Sequence, residues 1–421
     1  MRRVVVTGLG FITSIGNNRD RVLRSLRDCQ TGIEYYKPLE KAGVPVRLVG
    51  TVKGFEFSEL RSDEWSYPAE YEISREQLRS MSPNVVYAFC AMQQAIADAG
   101  LSPDLVSHPR TGAMCASAGS TRLTYEYLEM MLEKGPYRCN PMAMVASVSG
   151  TLNMNLVATF RIKGAAVGFS SACSSSAHAL GAAFDKIKMN RQDVVFVVGA
   201  EDCDLFSILP FVGTRALTTQ TDPTISPCAF DRKRDGFAVT GGAAVLVLEE
   251  LDHARKRGAQ IYSEMLGWGE ASDGYSVMAP EPDGDGLARA MIAAIDEANI
   301  RPGEVDYINA HGTATAAGDA AEIHAIRRVF DSCRSPHVSS TKSITGHGLS
   351  LAGPMEAAFC CLALKERFTP VSAHITELDP EFESVSVVTA PLDYEPRVAL
   401  TNSSGFGGSN VAAIFRRWDE A

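Results

Sequence analysis

Apolar runs of strand length recur along the chain: RVVVTGLG at 3–10, VVFVVGAED at 194–202, GAAVLVLEEL at 242–251, VDYINAHG at 305–312, SVVTAPL at 386–392 and NVAAIFR at 410–416. Their β-branched content predicts strands. Between them, YAFCAMQQAIADAG at 87–100, GLARAMIAAIDEANI at 286–300, AAEIHAIRRVF at 320–330 and PMEAAFCCLALKERF at 354–368 carry apolar residues at helical spacing. Strands alternating with helices predict an α/β fold with a layered sheet. The strand runs tend to end in Gly, Ala or Ser before the next helix, and in such folds ligands gather at the strand ends. No internal repeat is visible in the residues. The charged stretch EELDHARKRGAQIYSEM, 249–265, separates two apolar blocks and divides the chain into halves of 1–252 and 253–421, each of ordinary domain size.

Composition narrows the class. Hydrophobic residues at 45% and charged residues at 21% are those of a globular protein. No window offers the roughly 18 apolar residues of a membrane helix, so no membrane insertion is expected. The opening MRRVVVTGLGFITSIGNN reads as a first strand, because Thr7, Gly8 and Gly10 interrupt its apolar run and no small-residue cleavage site follows. A net charge of −10 with no basic run argues against a nucleic-acid partner. An acidic partner would need a local basic patch. The 10 cysteines show no C-x-x-C spacing, which predicts reduced thiols and a cytoplasmic setting. The 8 histidines show no zinc-type spacing, so no metal is expected.

Four short motifs carry the candidate chemistry. In SSACSSSAHAL, 170–180, Cys173 stands among small residues where a helical pattern begins. A helix start can stabilise a thiolate, so this is either a nucleophile seat or a buried cysteine acting as a small hydrophobe. In NAHGTATAAGD, 309–319, His311 follows a strand-like run and leads into a turn. In SSTKSITGHGLSLAGPMEA, 339–357, Lys342 and His347 lie in a Gly/Ser/Thr-rich loop before a small-residue helix carrying Glu356. In TNSSGFGGSNVAAIF, 401–415, a Gly-rich turn surrounds Phe406 and leads into the last strand. That turn is not a phosphate loop, since no Gly-Lys-Ser/Thr follows.

In this order and at these separations the motifs resemble the β-ketoacyl-acyl-carrier-protein synthases, the elongating condensing enzymes of the thiolase superfamily. VVVTGLGFITSIGNN is similar to the family's opening strand and loop, and FDRKRDGFAVTGGAAVLVLEELDHARKRGAQIYSEMLGWGEASDG to its central segment. The resemblance implies a thiolase-like fold of two similar halves in five layers, α-β-α-β-α. It implies an acyltransferase that condenses an enzyme-bound acyl chain with malonyl-acyl carrier protein, with loss of carbon dioxide, as in fatty-acid chain elongation. Cys173 would then be the nucleophile, its thiol pKa lowered by the helix start. The N–H groups of Cys173 and Phe406 would form the oxyanion hole, with Phe406 as a gate, and His311 and His347 would stabilise the enolate. Lys342 would support the site electrostatically. Glu322 and Glu356 would buttress it, and Thr313 and Thr315 would contact the pantetheine arm. No cofactor is implied beyond the phosphopantetheine that the carrier brings. The implied partners are acyl carrier protein and a second subunit, as a homodimer or as a heterodimer with a chain-length factor. Arg75, Arg79, Lys134 and Arg138 are the candidate basic patch for an acidic carrier.

Two positions depart from the family pattern. Ser404 stands two residues before Phe406, where an aromatic residue is usual, which puts a saturated-chain preference in doubt. FAVTGGAAV, 237–245, replaces a more typical Gly-Glu-Gly-Ala-Gly run and is expected to affect packing only. A thiolase would carry a second cysteine near the C-terminus, and none follows Cys361. A non-catalytic chain-length factor would lack the nucleophile. A ketosynthase of a dedicated type II polyene or polyketide pathway, paired with a chain-length factor, stays open as the alternative.

Overall fold

The apolar run at the start of the chain forms strand β1, Val4–Ile12, buried at every position. The computed structural model describes residues 2–57 and 61–419. Four more strands join β1: β2 (Thr111–Ala116), β3 (Ala166–Phe169), β4 (Val194–Glu201) and β5 (Gly242–Glu250). They lie side by side as β3-β2-β4-β5-β1, with β2 parallel to β3 and β4, and β5 antiparallel to β4 and β1. A second set follows: β6 (Ser263–Ser272), β7 (Tyr307–Asn309), β8 (His337–Ser339), β9 (Ser386–Val387), β10 (Val398–Gly405) and β11 (Ser409–Arg417). Its order is β9-β8-β7-β10-β11-β6.

Apart from the short β9, the second set repeats the first: third, second, fourth, fifth, first. The internal repeat that the residues do not display is therefore present in the topology. Val4, Val5 and Val6 pair with Met265, Glu264 and Ser263, which joins the two sets into one continuous sheet.

Helices cover both faces. Helix α1 (Pro83–Asp98) packs on β1, β4 and β5; α2 (Ser175–Lys188) and α5 (Ala352–Lys365) pack on each other and on strands of both sets; α3 (Asp285–Ala298) packs on β6 and β11 beside α4 (Ala316–Phe330). Strand alternation sorts the contacts, because successive side chains point to opposite faces. Val195 and Val197 join α2 and α5 in one core, while Val194, Phe196 and Val198 join α1 in another. Likewise Ala399, Ala413 and Phe415 face the central helices, and Leu400, Ala412 and Ile414 face α3 and α4. The layers run helix, sheet, helix pair, sheet, helix. This is the five-layered thiolase-like arrangement.

A middle layer has no solvent side. Accordingly α5 is buried from Ala352 to Leu364, the mark of a helix enclosed on all sides. The two helices there approach closely: a Cβ on Gly353 would stand 2.4 Å from the backbone nitrogen of Ala177. Two expected elements differ. SVVTAPL yields only the two-residue β9 before Pro391 and an exposed segment. The charged stretch at 249–265 holds a short helix, Leu251–Lys256, and the first residues of β6.

Gly181 on α2 faces Trp268 on β6, and a Cβ there would lie 2.2 Å from the ring. Gly181→Ala should therefore lower the melting temperature. Overpacking costs about 1–3 kcal/mol, against at most about 1 kcal/mol gained from helix propensity. An unchanged or raised melting temperature would show that the middle layer is looser than this geometry.

Candidate active site

The serines around Cys173 hold its loop. Ser174 Oγ donates to the Ser171 carbonyl at 2.7 Å, Ser175 Oγ donates to the Ala172 carbonyl at 2.6 Å, and the Ser171 N–H donates to Ser175 Oγ at 2.8 Å. Between them Ala172 adopts φ 50°, a left-handed conformation that costs energy for any residue but glycine. This tight turn sets Cys173 immediately before Ser174, the N-cap of α2.

His347 reaches the sulfur. Its Nε2 lies 3.1 Å from Cys173 Sγ. The His347 backbone is pinned on both sides: its N–H donates to the Ala238 carbonyl at 2.7 Å, and its carbonyl accepts from the Thr240 N–H at 3.0 Å. Nδ1 accepts the Leu349 N–H at 3.3 Å. With Nδ1 an acceptor, the hydrogen of the neutral ring belongs on Nε2, facing the sulfur. Phe237 packs edge-on against the ring at 5.0 Å.

His311, two residues beyond β7, stands edge-on to His347 with ring centres 5.2 Å apart. Its loop is fixed from below by Glu322 on α4, whose carboxylate accepts the His311 and Gly312 N–H groups, each at 2.7 Å, and the Asn402 side-chain amide at 2.6 Å. The Nδ1 of His311 is buried and has no partner among the described residues. A buried polar atom left unpaired is costly, and His311 is one of the residues that line the cavity.

Lys342 and Glu356 lie beneath. The amine and carboxylate are 2.5 Å apart, and both side chains are buried. Burial, reinforced by Lys342, holds both imidazoles well below the ordinary histidine range, so each is neutral near pH 7. Burial pushes Glu356 up to about 7 against the pull of Lys342.

One expectation is corrected here. The helix start does not leave Cys173 with a lowered pKa. Burial pushes the thiol up to about 12, and the attraction of Lys342 only moderates this. The physical reason is burial: the enclosed sulfur loses solvation of its charged form, and that outweighs the pull of Lys342.

A cavity of about 320 Å³ opens on Cys173, lined by His311, His347, Thr313, Thr315, Ser404 and Phe406 among others. The Thr313 and Thr315 hydroxyls are 3.0 Å apart, and Thr315 Oγ1 also caps α4 by accepting the Gly318 N–H at 3.2 Å. The Phe406 turn lies against the Cys173 loop, since a Cβ on the preceding Gly405 would stand 3.2 Å from Cys173 N. Phe406 itself is partly exposed, at 36%. Lys342 and Glu356 do not line the cavity. Arg75, Arg79, Lys134 and Arg138 are exposed and lie outside it. Arg75 pairs with Asp63 at 2.9 Å, and the Asn140 amide donates to the Arg79 carbonyl at 2.7 Å, which draws the two basic segments together. Phe237 and Asn402 belong to the site but carry no signal of their own in the sequence. Asn402 sits inside the TNSSGFGG motif, but only the fold shows that it meets Glu322.

A thiol and two neutral imidazoles around one cavity, with a buried amine behind them, in a layered α/β fold define a cysteine acyl-transfer site. Residues 1–254 match the β-ketoacyl synthase N-terminal domain and residues 262–376 the C-terminal domain. The chain belongs to the β-ketoacyl synthase family, acyltransferase-class condensing enzymes. It is 37% identical to 3-oxoacyl-[acyl-carrier-protein] synthase 1 of Escherichia coli K12 over 99% of both chains. It superposes with a TM-score of 0.90 on a β-ketoacyl synthase from Burkholderia phymatum, 32% identical with both chains fully covered. It also matches the ishigamide ketosynthase/chain length factor, with a TM-score of 0.87 and 29% identity over 99% of this chain and 100% of that one.

With its thiol pushed up to about 12, Cys173 in the substrate-free enzyme should react with iodoacetamide at a rate that rises about tenfold per pH unit through pH 9, because the thiolate is the reacting form. A plateau below pH 8 would mean that the thiolate is already formed at rest.

Proposed function

We propose that the protein joins an acyl chain held on Cys173 to malonyl-acyl carrier protein by decarboxylative condensation, giving a β-ketoacyl-acyl carrier protein, as in fatty-acid chain elongation. The observation that carries this reading is the convergence of Cys173 Sγ with two neutral imidazoles in one cavity. The full-length identity to 3-oxoacyl-[acyl-carrier-protein] synthase 1 supports it.

The steps follow from the donors at hand. Cys173 Sγ attacks the thioester carbonyl of the acyl carrier. The bond to the pantetheine sulfur breaks, and the thiol proton goes to that leaving sulfur. The N–H groups of Cys173 and Phe406 are the donors for the intervening oxyanion. When malonyl carrier follows, its carboxylate leaves as carbon dioxide, and the electron pair forms an enolate. His311 and His347 each donate an N–H to the enolate oxygen, a task that suits neutral rings. The enolate carbon then attacks the acyl carbonyl on Cys173 and expels the thiolate. Burial, reinforced by the charge of Lys342, keeps both imidazoles neutral, and Glu322 fixes the His311 loop. Thr313 and Thr315 offer hydroxyls to the amides of the arm. Each step uses these groups and the carrier's own phosphopantetheine, so the proposal includes no cofactor.

The proposed partners are an acidic acyl carrier protein, met by the patch of Arg75, Arg79, Lys134 and Arg138, and a second subunit. Leu128, Leu132, Met144, Met154 and the edge-strand Val167 are all exposed apolar positions that a second copy would cover. The 10 unpaired thiols support a cytoplasmic setting, and no helix among the described residues is long and apolar enough to cross a membrane. A second reading makes the chain the ketosynthase of a type II polyene or polyketide system with a chain-length factor. The likeness to the ishigamide ketosynthase/chain length factor favours it, as does Ser404 in the cavity wall, where space is left for a rigid or unsaturated chain.

His311→Ala and His347→Ala should each slow malonyl decarboxylation about 100-fold, the effect of one lost donor worth about 3 kcal/mol. Loading of Cys173 should fall less. Equal loss of both steps in both variants would reduce the histidines to structural residues and sink this assignment.

A further inference from the structure

The Cys173 loop has one connection that leaves the cavity. Ser171 Oγ lies 2.8 Å from Nδ1 of His178, on the first turn of α2. The same Nδ1 is 3.1 Å from the Ser174 carbonyl. Nδ1 thus stands between the Ser171 hydroxyl and the Ser174 carbonyl, tying both to the ring. On the far side of the ring, Nε2 stands 3.1 Å from the carboxylate of Glu270 on β6. The connection thus runs from the nucleophile loop, through one imidazole, to a strand of the other half of the molecule. Ser171, His178 and Glu270 do not line the cavity.

Ser171 is a sensitive point to hold. Its carbonyl meets the Phe406 turn, where a Cβ on Gly405 would stand 2.6 Å away. Between it and Cys173 lies Ala172, with its left-handed φ of 50°. Strained backbone of this kind persists only when its surroundings over-determine it. A small shift of Ser171 would move Cys173 N–H and the Phe406 turn relative to each other, and those are the two sides of the proposed oxyanion site. Glu270 is 57% exposed at its side chain, so the pair with His178 adds little to global stability. Its value is geometric.

We propose that His178 is a positioning residue for Cys173, with Glu270 as its anchor on β6: together they fix Ser171, and through it the strained turn that presents the nucleophile. This rests on Cys173 being the acyl acceptor. No substrate atom touches His178 in this scheme.

The test compares the full chain as wild type, His178→Ala, His178→Asn and Glu270→Ala. Two rates are read: acyl loading of Cys173 from an acyl-carrier thioester, and alkylation of Cys173 by iodoacetamide. His178→Ala should lower the maximal loading rate about 10-fold, the scale of a sub-ångström misplacement at a reacting atom, with the KM for the carrier unchanged. Glu270→Ala should lower it about 3-fold on the same ground, with an unchanged melting temperature. The Asn variant, whose amide can still donate toward the Ser174 carbonyl, should recover most of the rate. Wild-type loading in His178→Ala and Glu270→Ala would overturn the proposal. So would a loss in His178→Ala that follows the melting temperature and is not rescued by Asn. If the wild type itself loads no acyl group, the proposed function fails, while the alkylation rates still decide whether His178 sets the reactivity of Cys173.

Discussion

The site depends on one buried ion pair. Lys342 and Glu356 lie 2.5 Å apart, 2% and 0% exposed. Either group alone would be an uncompensated charge in the interior, and breaking such a pair costs about 3–5 kcal/mol. The pair survives because Glu356 belongs to α5, the helix enclosed between two sheet layers, and Lys342 to the short helix Lys342–Thr345 that follows β8. The middle layer thus does more than fill volume. It carries a charged pair into the interior and holds it behind the reacting groups.

The electrostatics of the site follow from that placement. A cation behind two buried imidazoles adds to desolvation in keeping them neutral, and a neutral imidazole offers one N–H. The same cation draws the Cys173 thiol down, yet burial wins and the resting sulfur stays protonated. The enzyme at rest is therefore a set of neutral donors around a closed thiol. Negative charge appears only when substrate brings it, and the donors are then already in place. Such preorganisation is where electrostatic catalysis draws its strength.

Much of the fold was legible because β1, β4 and β5 are apolar at nearly every position, as strands covered on both faces are. Strand β6 was hidden. Its SEMLGWGEAS carries Gly267 and Gly269, where α3 packs so closely that a Cβ would meet its backbone at 2.6 and 2.3 Å. Those glycines read as breakers in sequence and are contact points in space. The repeat was invisible because strand order depends on hydrophobicity and connection, not on particular residues. At the site, Cys173, His311, Lys342 and His347 stood out as reactive types in small-residue motifs. Phe237 and Asn402 did not, since an apolar ring and a strand amide announce nothing until their neighbours are known. The thiol pKa is hidden from the sequence for the same reason: burial is a property of the assembled layers.

The central claim is that Cys173 alone receives the acyl group. Incubating the full chain with an acyl-carrier thioester, then locating the adduct by peptide mass spectrometry, tests it most directly. The account predicts a single acyl group on Cys173. Acylation mainly at Cys203, Cys228 or Cys115, or no covalent adduct at all, would contradict it.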